Sequence, residues 1–264
     1  MKLATWNVNS LTARLQHVLD WLGANPVDAL CIQELKQTED KFPATELLAA
    51  GYHSQMLGQK TYNGVAILSR APLFGVVKNI PDFADDQARA IAATLDAPDA
   101  PGGAIRLING YFVNGQEPGS EKFAYKMRWL DALQAFVAAE LAAHPSLVLL
   151  GDFNIAPEDR DSYDPEGLRD TIHHTCEERE HFRALLGLGL TDSFRLFEQP
   201  PKSYSWWDYR MLGYQKNRGL RIDHVLVSQA LKPMVHSCTI DRLPRKREKP
   251  SDHTPVVLDL AFPT

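Results

Sequence analysis

Short runs rich in β-branched and aliphatic residues recur along almost the whole chain, and their number constrains the fold more than any other feature. Residues 2–8, 28–33, 64–69, 90–96, 105–112, 147–150, 203–207, 222–228, 235–241 and 255–261 all read as strands. These are too many for one small parallel sheet. Helical periodicity separates only some of them. Phe123, Met127, Leu130, Leu133, Val137 and Leu141 form a 3.6-residue stripe behind Ser120, which predicts an N-cap and a core-facing helix. Residues 11–22 and 177–188 read as two further helices, and the Pro- and Gly-rich stretch 97–103 as a hairpin loop. Three strands lie between Ala66 and Phe112 with no long helical pattern among them, so local antiparallel pairing and a mixed sheet set are expected. The pattern is that of a layered α/β protein. With no internal repeat or linker, residues 1–264 are expected to form one domain.

Acidic and amide side chains collect where these runs end: Asn7 and Asn9, Glu34, Asp152 and Asn154, and Asp223. A strand end fixes the backbone while its side chain faces a cleft, which suits catalytic groups. In Leu147-Val148-Leu149-Leu150-Gly151-Asp152-Phe153-Asn154, period-2 alternation puts Asp152 and Asn154 on one side. Taken alone, such a pair is more often a turn former that bonds its own backbone. Ser251-Asp252-His253 stands at the threshold of the last strand, where an imidazole beside a carboxylate can serve as acid/base or as an anion-binding cation. Asp223 is a candidate for the carboxylate that orients that imidazole. The oxygen-rich set Glu34, Asp152, Asn154, Asp252, Asn7 and Asn9 has no Cys or paired-His spacing. Hard oxygen donors of this kind suit Mg²⁺ or Mn²⁺ and phosphoryl chemistry rather than zinc hydrolysis.

Composition narrows the function classes. No apolar run approaches the roughly 20 residues of a membrane helix, and the first residues read as a strand rather than a signal sequence. Cys31, Cys176 and Cys238 are widely and irregularly spaced, so three free thiols in a cytoplasmic protein, most simply a monomer, are expected. The formal net charge of -5 works against non-specific binding to nucleic acid. Three local clusters oppose it: Arg242, Arg245, Lys246, Arg247 and Lys249; Lys216, Arg218 and Arg221; and Lys122, Lys126 and Arg128. Any one of them reads most simply as solvated surface charge.

Six segments, in order, resemble the exonuclease III and abasic-endonuclease family of the endonuclease/exonuclease/phosphatase superfamily. They are Thr5-Trp6-Asn7-Val8-Asn9-Ser10-Leu11, Gln33-Glu34-Leu35-Lys36, Tyr62-Asn63-Gly64-Val65-Ala66-Ile67-Leu68-Ser69, Gly151-Asp152-Phe153-Asn154-Ile155-Ala156-Pro157, Gly219-Leu220-Arg221-Ile222-Asp223-His224 and Lys249-Pro250-Ser251-Asp252-His253. The resemblance implies a four-layer α/β sandwich, two packed mixed β-sheets flanked by helices, with the active site at one edge of the sheets. It also implies that Glu34 is the principal Mg²⁺ ligand, with Asn7 and Asn9 adjacent. Asp252, Asp152, Asn154 and His253 would complete the metal and water environment. Tyr111 matches the active-site tyrosine, and Asp223 the carboxylate behind His253. Two assignments of the water-activating base, Asp152 or His253 supported by Asp223, stay open at this stage.

The implied activities are 3′→5′ exonuclease, 3′-phosphatase and abasic endonuclease on double-stranded DNA. Trp206 and Trp207 look like the segment that contacts a flipped or terminal sugar, and Arg218 lies close by on the substrate side. Where abasic endonucleases of the family carry a small residue followed by an aromatic, this chain carries Ile172-His173-His174-Thr175. His173 would narrow the pocket for a base-less nucleotide and weaken incision at internal abasic sites while sparing 3′ ends. A same-fold hydrolase of another phosphate ester and a non-catalytic DNA-binding module are the alternatives. Retention of Glu34, Asp152, Asp223 and His253 disfavours the second, and sensitivity to EDTA discriminates it.

Overall fold

The structure is a computed structural model that describes residues 1–262. In chain order the strands are β1 (Lys2–Asn7), β2 (Ala29–Gln33), β3 (His53–Leu57), β4 (Val65–Ser69), β5 (Leu73–Lys78), β6 (Ala90–Asp96), β7 (Ala104–Tyr111), β8 (Leu147–Asp152), β9 (Leu190–Asp192), β10 (Trp206–Trp207), β11 (Gly219–Leu220), β12 (Asp223–Ser228), β13 (Val235–Ile240) and β14 (Val256–Leu260). The helices are α1 (Leu11–Ala24), α2 (Ala44–Ala49), α3 (Glu121–Ala143) and α4 (Cys176–Gly187). Two mixed six-stranded sheets result, ordered β13-β14-β1-β2-β4-β3 and β5-β6-β7-β8-β12-β9, beside a small β10-β11 ribbon.

Strands β2, β4 and β8 are buried at every residue, which is why they read as continuous apolar runs rather than alternating ones. Their inward faces form the core between the sheets, where Leu3, Cys31, Val65 and Ile67 meet Ile91, Leu107, Val148, Leu150 and Val225. The outer face of the first sheet packs with Trp6, Leu30 and Leu68 against Val18, Trp21 and Leu22 of α1 and Leu47 of α2. The outer face of the second sheet receives Trp129, Leu130, Leu133 and Val137 of α3 and Phe182 and Leu185 of α4. The layers therefore run helix, sheet, sheet, helix. One polar relay crosses the dry middle. Gln33 Nε2 donates to Thr5 Oγ1 at 2.9 Å and Asn109 Oδ1 at 2.7 Å, and Asn109 Nδ2 donates to the carbonyls of Ile32 and Ala66. Buried amides that are largely paired fix the sheets relative to each other as apolar contact alone does not.

Ser120 caps α3 as its position predicts, its Oγ accepting from Phe123 N at 3.1 Å. The expectation of purely local pairing between Ala66 and Phe112 holds only for part of that span. β6 pairs antiparallel with β7, but β4 pairs with β2 and β3 in the other sheet and faces β6 across the core. Four strands, β3, β5, β9 and β11, escape the sequence reading. β3 and β5 are half-exposed edge strands and β9 and β11 are two or three residues long, so none presents a clean apolar period. Cys31, Cys176 and Cys238 are free thiols, the first and last buried. No helix among the described residues is long and apolar enough to cross a membrane.

Candidate active site at the sheet ends

Strand direction alone brings the candidate residues together. β1 runs parallel to β2, so Asn7 and Gln33 end in register and Glu34 follows directly. β14 runs antiparallel to β1, which places the 251–253 segment beside the end of β1. In the second sheet β7 is parallel to β8 and β12 antiparallel to it, so Tyr111, Asp152 and Asp223 lie on adjacent strands at one end. Gly151 is required there. It has φ 148°, and a Cβ would sit 1.9 Å from the Gly110 carbonyl oxygen. Beyond the strand ends the backbone turns sharply: Asn9, Glu34, Lys36 and Asn154 have φ of 45°, 55°, 55° and 51°. Non-glycine residues in this region are uncommon and concentrate where the surrounding structure holds them.

The side chains form one network. Glu34, Asp152 and His253 each present a ligand atom, all within 4.8 Å of one another, and they are the one such group among the described residues. Asn7 Nδ2 donates to Glu34 Oε1 at 2.8 Å and to Asp152 Oδ2 at 2.9 Å, holding the two carboxylates together. Asp223 Oδ2 lies 2.8 Å from His253 Nδ1, while His253 Nε2 faces Asp152 Oδ2 at 3.6 Å. Burial disfavours a charged imidazole, but Asp223 and Asp152 outweigh it and raise the His253 pKa to about 10. Burial lifts the Asp152 carboxyl above the usual carboxylate range, with the His253 charge opposing. Burial, with Glu34 and Asp152 close by, holds the Tyr111 phenol well above its ordinary value.

Three other residues expected among the metal ligands are held by hydrogen bonds around this group. The Asn7 amide oxygen accepts from Asn9 N at 2.9 Å, because its NH₂ is turned to the carboxylates. Asp252 accepts from Asn9 Nδ2 and Trp206 Nε1, each at 2.9 Å. The Asn154 amide donates to the Phe112 carbonyl and accepts from Asn114. Period-2 alternation does not carry Asn154 to the cleft, since β8 ends at Asp152. Asn154 lies instead in a turn, in which Asp152 Oδ1 accepts from Asn154 N at 3.0 Å. Lys36, quoted in the sequence motif without a role, pairs with Glu34 Oε2 at 2.8 Å and donates to Asn9 Oδ1 at 2.5 Å. Arg89 carries no sequence motif, yet its guanidinium lies 5.0 Å from the centre of the Tyr111 ring. A lone Arg opening a β-run carries no signal that points to it.

Beside the network lies a cavity of about 320 Å³, walled by Leu168, Ile172, His173, His174, Trp206 and Leu220, with Arg218 at its rim. Both histidines are buried, not exposed loop residues. His173 Nδ1 lies 2.7 Å from the Asn154 carbonyl and His174 Nε2 2.9 Å from Ser162 Oγ. Burial brings the His173 pKa down to about 4, so it is a neutral wall. Trp206 faces the cavity and ties it to Asp252. Trp207 does not face it: the side chain is wholly buried, bonded to Asn217 and packed edge-to-face with Tyr214, and has no surface to offer a substrate. Each of the three basic clusters loses one member to the interior on folding. Lys126 and Arg221 are sealed in ion pairs with Glu178 and with Asp161 and Asp192, and Arg245 is buried over the Trp207 and Tyr214 rings.

The model of the endonuclease/exonuclease/phosphatase family matches residues 4–253. Exodeoxyribonuclease III of Haemophilus influenzae is 35% identical over 265 residues, covering 97% of this chain and 98% of that protein. A 3′ phosphatase, NExo, from Neisseria, solved bound to a product DNA hairpin, superposes with a TM-score of 0.95 at 47% identity, covering 99% and 100% of the two chains. An AP endonuclease from Archaeoglobus fulgidus superposes with a TM-score of 0.91 at 34% identity over 98% and 99%. With its two packed sheets, its converging strand ends and a match over nearly its whole length, the chain belongs to the endonuclease/exonuclease/phosphatase family.

Proposed function

We propose that the chain is a DNA-repair nuclease that hydrolyses phosphate esters of double-stranded DNA at 3′ ends, as 3′→5′ exonuclease and 3′-phosphatase, with Mg²⁺ as its ion and Mn²⁺ able to replace it. One observation carries the reading: Glu34, Asp152 and His253, from segments far apart in sequence, converge within 4.8 Å at the common end of two sheets. The donor set fits a hard cation, since two carboxylates and one imidazole offer no thiolate and only one nitrogen. Glu34 with Asp152 would hold the ion, which when bound neutralises charge on the phosphate.

The chain's own groups supply the rest. Asp223 fixes the Nδ1 proton of His253, so Nε2–H is the edge presented to a phosphate oxygen, and an imidazolium there offsets developing charge. A remaining lone pair of the Asp152 carboxylate then faces the attacking water and takes its proton. Assigning the base to Asp152 follows from His253 being flanked by Asp223 and Asp152, which favours its cationic form and leaves it no site to accept a proton. Tyr111 donates toward the transition state. Trp206 and the adjoining cavity receive the terminal sugar, and Arg218 at the rim meets the backbone phosphate.

With 1 mM EDTA present, release of nucleotides from a recessed 3′ end is expected to vanish on a scale of about 10³-fold or more, and to return with excess Mg²⁺. Unchanged hydrolysis in EDTA would remove the metal-dependent reading. The buried His173 further supports weakened incision at internal abasic sites, because the imidazole occupies cavity wall that a base-less sugar would need. His173 has φ 72°, a backbone that glycine adopts without strain, so His173→Gly opens the wall without straining its own backbone. Internal incision by this variant should rise at least about ten-fold, with the 3′-end rate held within about three-fold. An unchanged ratio of the two rates rejects the barrier.

A further inference from the structure

Behind the catalytic network, and taking no part in it, lies a fully sealed ion pair. Lys126 on α3 and Glu178 on α4 both have no exposed side-chain surface. The Lys126 ammonium spends its three protons on the Glu178 carboxylate, the Asn114 carbonyl at 3.2 Å and the Asn154 carbonyl at 2.8 Å. Glu178 in turn accepts from His173 N at 3.1 Å, from Thr175 N at 3.1 Å and from Thr175 Oγ1 at 2.8 Å. The Asn154 carbonyl is the meeting point, since His173 Nδ1 reaches it as well.

Stability does not explain this arrangement. A well-packed apolar pair of the same volume serves a core at least as well as buried charges do. What an ammonium supplies, and a methyl group does not, is two directed bonds to backbone on separate loops and a third to Glu178, which itself holds the backbone ahead of α4. Those loops follow β7 and β8 and precede α4. They carry Asn154 and His173, whose φ values of 51° and 72° lie in a region that non-glycine residues leave unless held. We infer that the Lys126–Glu178 pair is the positioning device of this site: it locks the Asn154 turn, whose N–H holds the Asp152 carboxylate that the proposed chemistry uses, to the His173 turn, which walls the sugar cavity. Neither residue touches substrate. The inference rests on the nuclease reading for its kinetic consequence and on geometry alone for its structural one.

The test compares wild type, Lys126→Met and Lys126→Met/Glu178→Gln as full chains, the double variant removing both charges together. Amide hydrogen exchange without DNA should accelerate at least about ten-fold in residues 153–157 and 171–179, while the central strands keep wild-type protection. Under single turnover with saturating 3′-recessed duplex and Mg²⁺, the rate constant should fall about ten- to hundred-fold, with the reaction amplitude and DNA affinity held within about three-fold. A role in folding alone would lower the amplitude and leave the rate constant unchanged. Unchanged exchange, a loss confined to amplitude, or failure of the double variant to fold each overturns the inference. Faster exchange in the two turns together with a wild-type protein that cleaves no DNA would instead sink the nuclease reading and leave the lock standing.

Discussion

Asp152→Asn is expected to lower kcat at a recessed 3′ end by on the order of 10³-fold while DNA affinity stays level or tightens. The amide is nearly isosteric and keeps an oxygen for the Asn154 N–H, so the turn after β8 survives. What disappears is the basic lone pair and one negative charge beside a phosphate. The first loss removes proton transfer from water, an interaction made on the way to the transition state. The second removes repulsion in the bound ground state. The two together predict a fall in kcat without a rise in KM, which distinguishes a base from a residue that merely binds DNA. Asp223→Asn is the informative companion, because it disturbs the hydrogen bond that fixes the His253 tautomer at 2.8 Å. If Asp152→Asn kept more than about a tenth of the activity while Asp223→Asn lost about 10³-fold, His253 would be the base.

Much of this site is legible in sequence because its residues sit at the ends of apolar runs. A run such as Leu147–Leu150 fixes where a strand stops, and the next polar side chain is then delivered to a sheet edge. Parallel or antiparallel pairing decides which edges coincide, and that information is not local. Nothing near Asp223 says that it lies opposite Asp152, although the register makes them partners. The helix after Ser120 is legible for the opposite reason, since its cap and stripe are both contained in one stretch. Edge strands such as β3 and β5 are hidden because half their side chains face water and no burial pattern is imposed on them. Charge is the least legible property. Lys126, Arg221 and Arg245 look like members of surface clusters, yet each is buried, because a cation's partner can be supplied from a distant segment. The two tryptophans of the 204–209 segment separate on the same principle. A two-residue strand turns one toward the cavity and the other into the fold, and composition does not say which.

The largest stability effect is expected from Arg221→Met, at about 3–5 kcal/mol and a fall in Tm of roughly 10 °C near neutral pH. Arg221 is 1% exposed and bonds Asp161 and Asp192 together, with His224 Nδ1 at 3.0 Å completing its surroundings. A methionine fills much the same volume but strands two carboxylates, leaving Asp161 with Arg195 alone. This loss bears on function because Arg221 stands two residues from Asp223 and its own N–H donates to the Asp161 carbonyl at 2.9 Å, joining the strand behind His253 to the loop that leads to the cavity. The pH dependence follows from Asp161. Burial works against its charge, but Arg221 and Arg195 outweigh burial and hold the carboxyl below the usual range. A depressed folded pKa contributes stability that is fully present above the unfolded value, about 3.9 for Asp. That contribution is lost as pH falls through the lower folded value. The gap in Tm between wild type and Arg221→Met should therefore be widest near pH 7 and narrow below about pH 4, where the stranded carboxylates of the variant are protonated and no longer costly. Thermal unfolding followed by circular dichroism at both pH values measures it. A gap that is small at neutral pH, or that widens in acid, would mean that packing rather than paired charge holds this part of the fold.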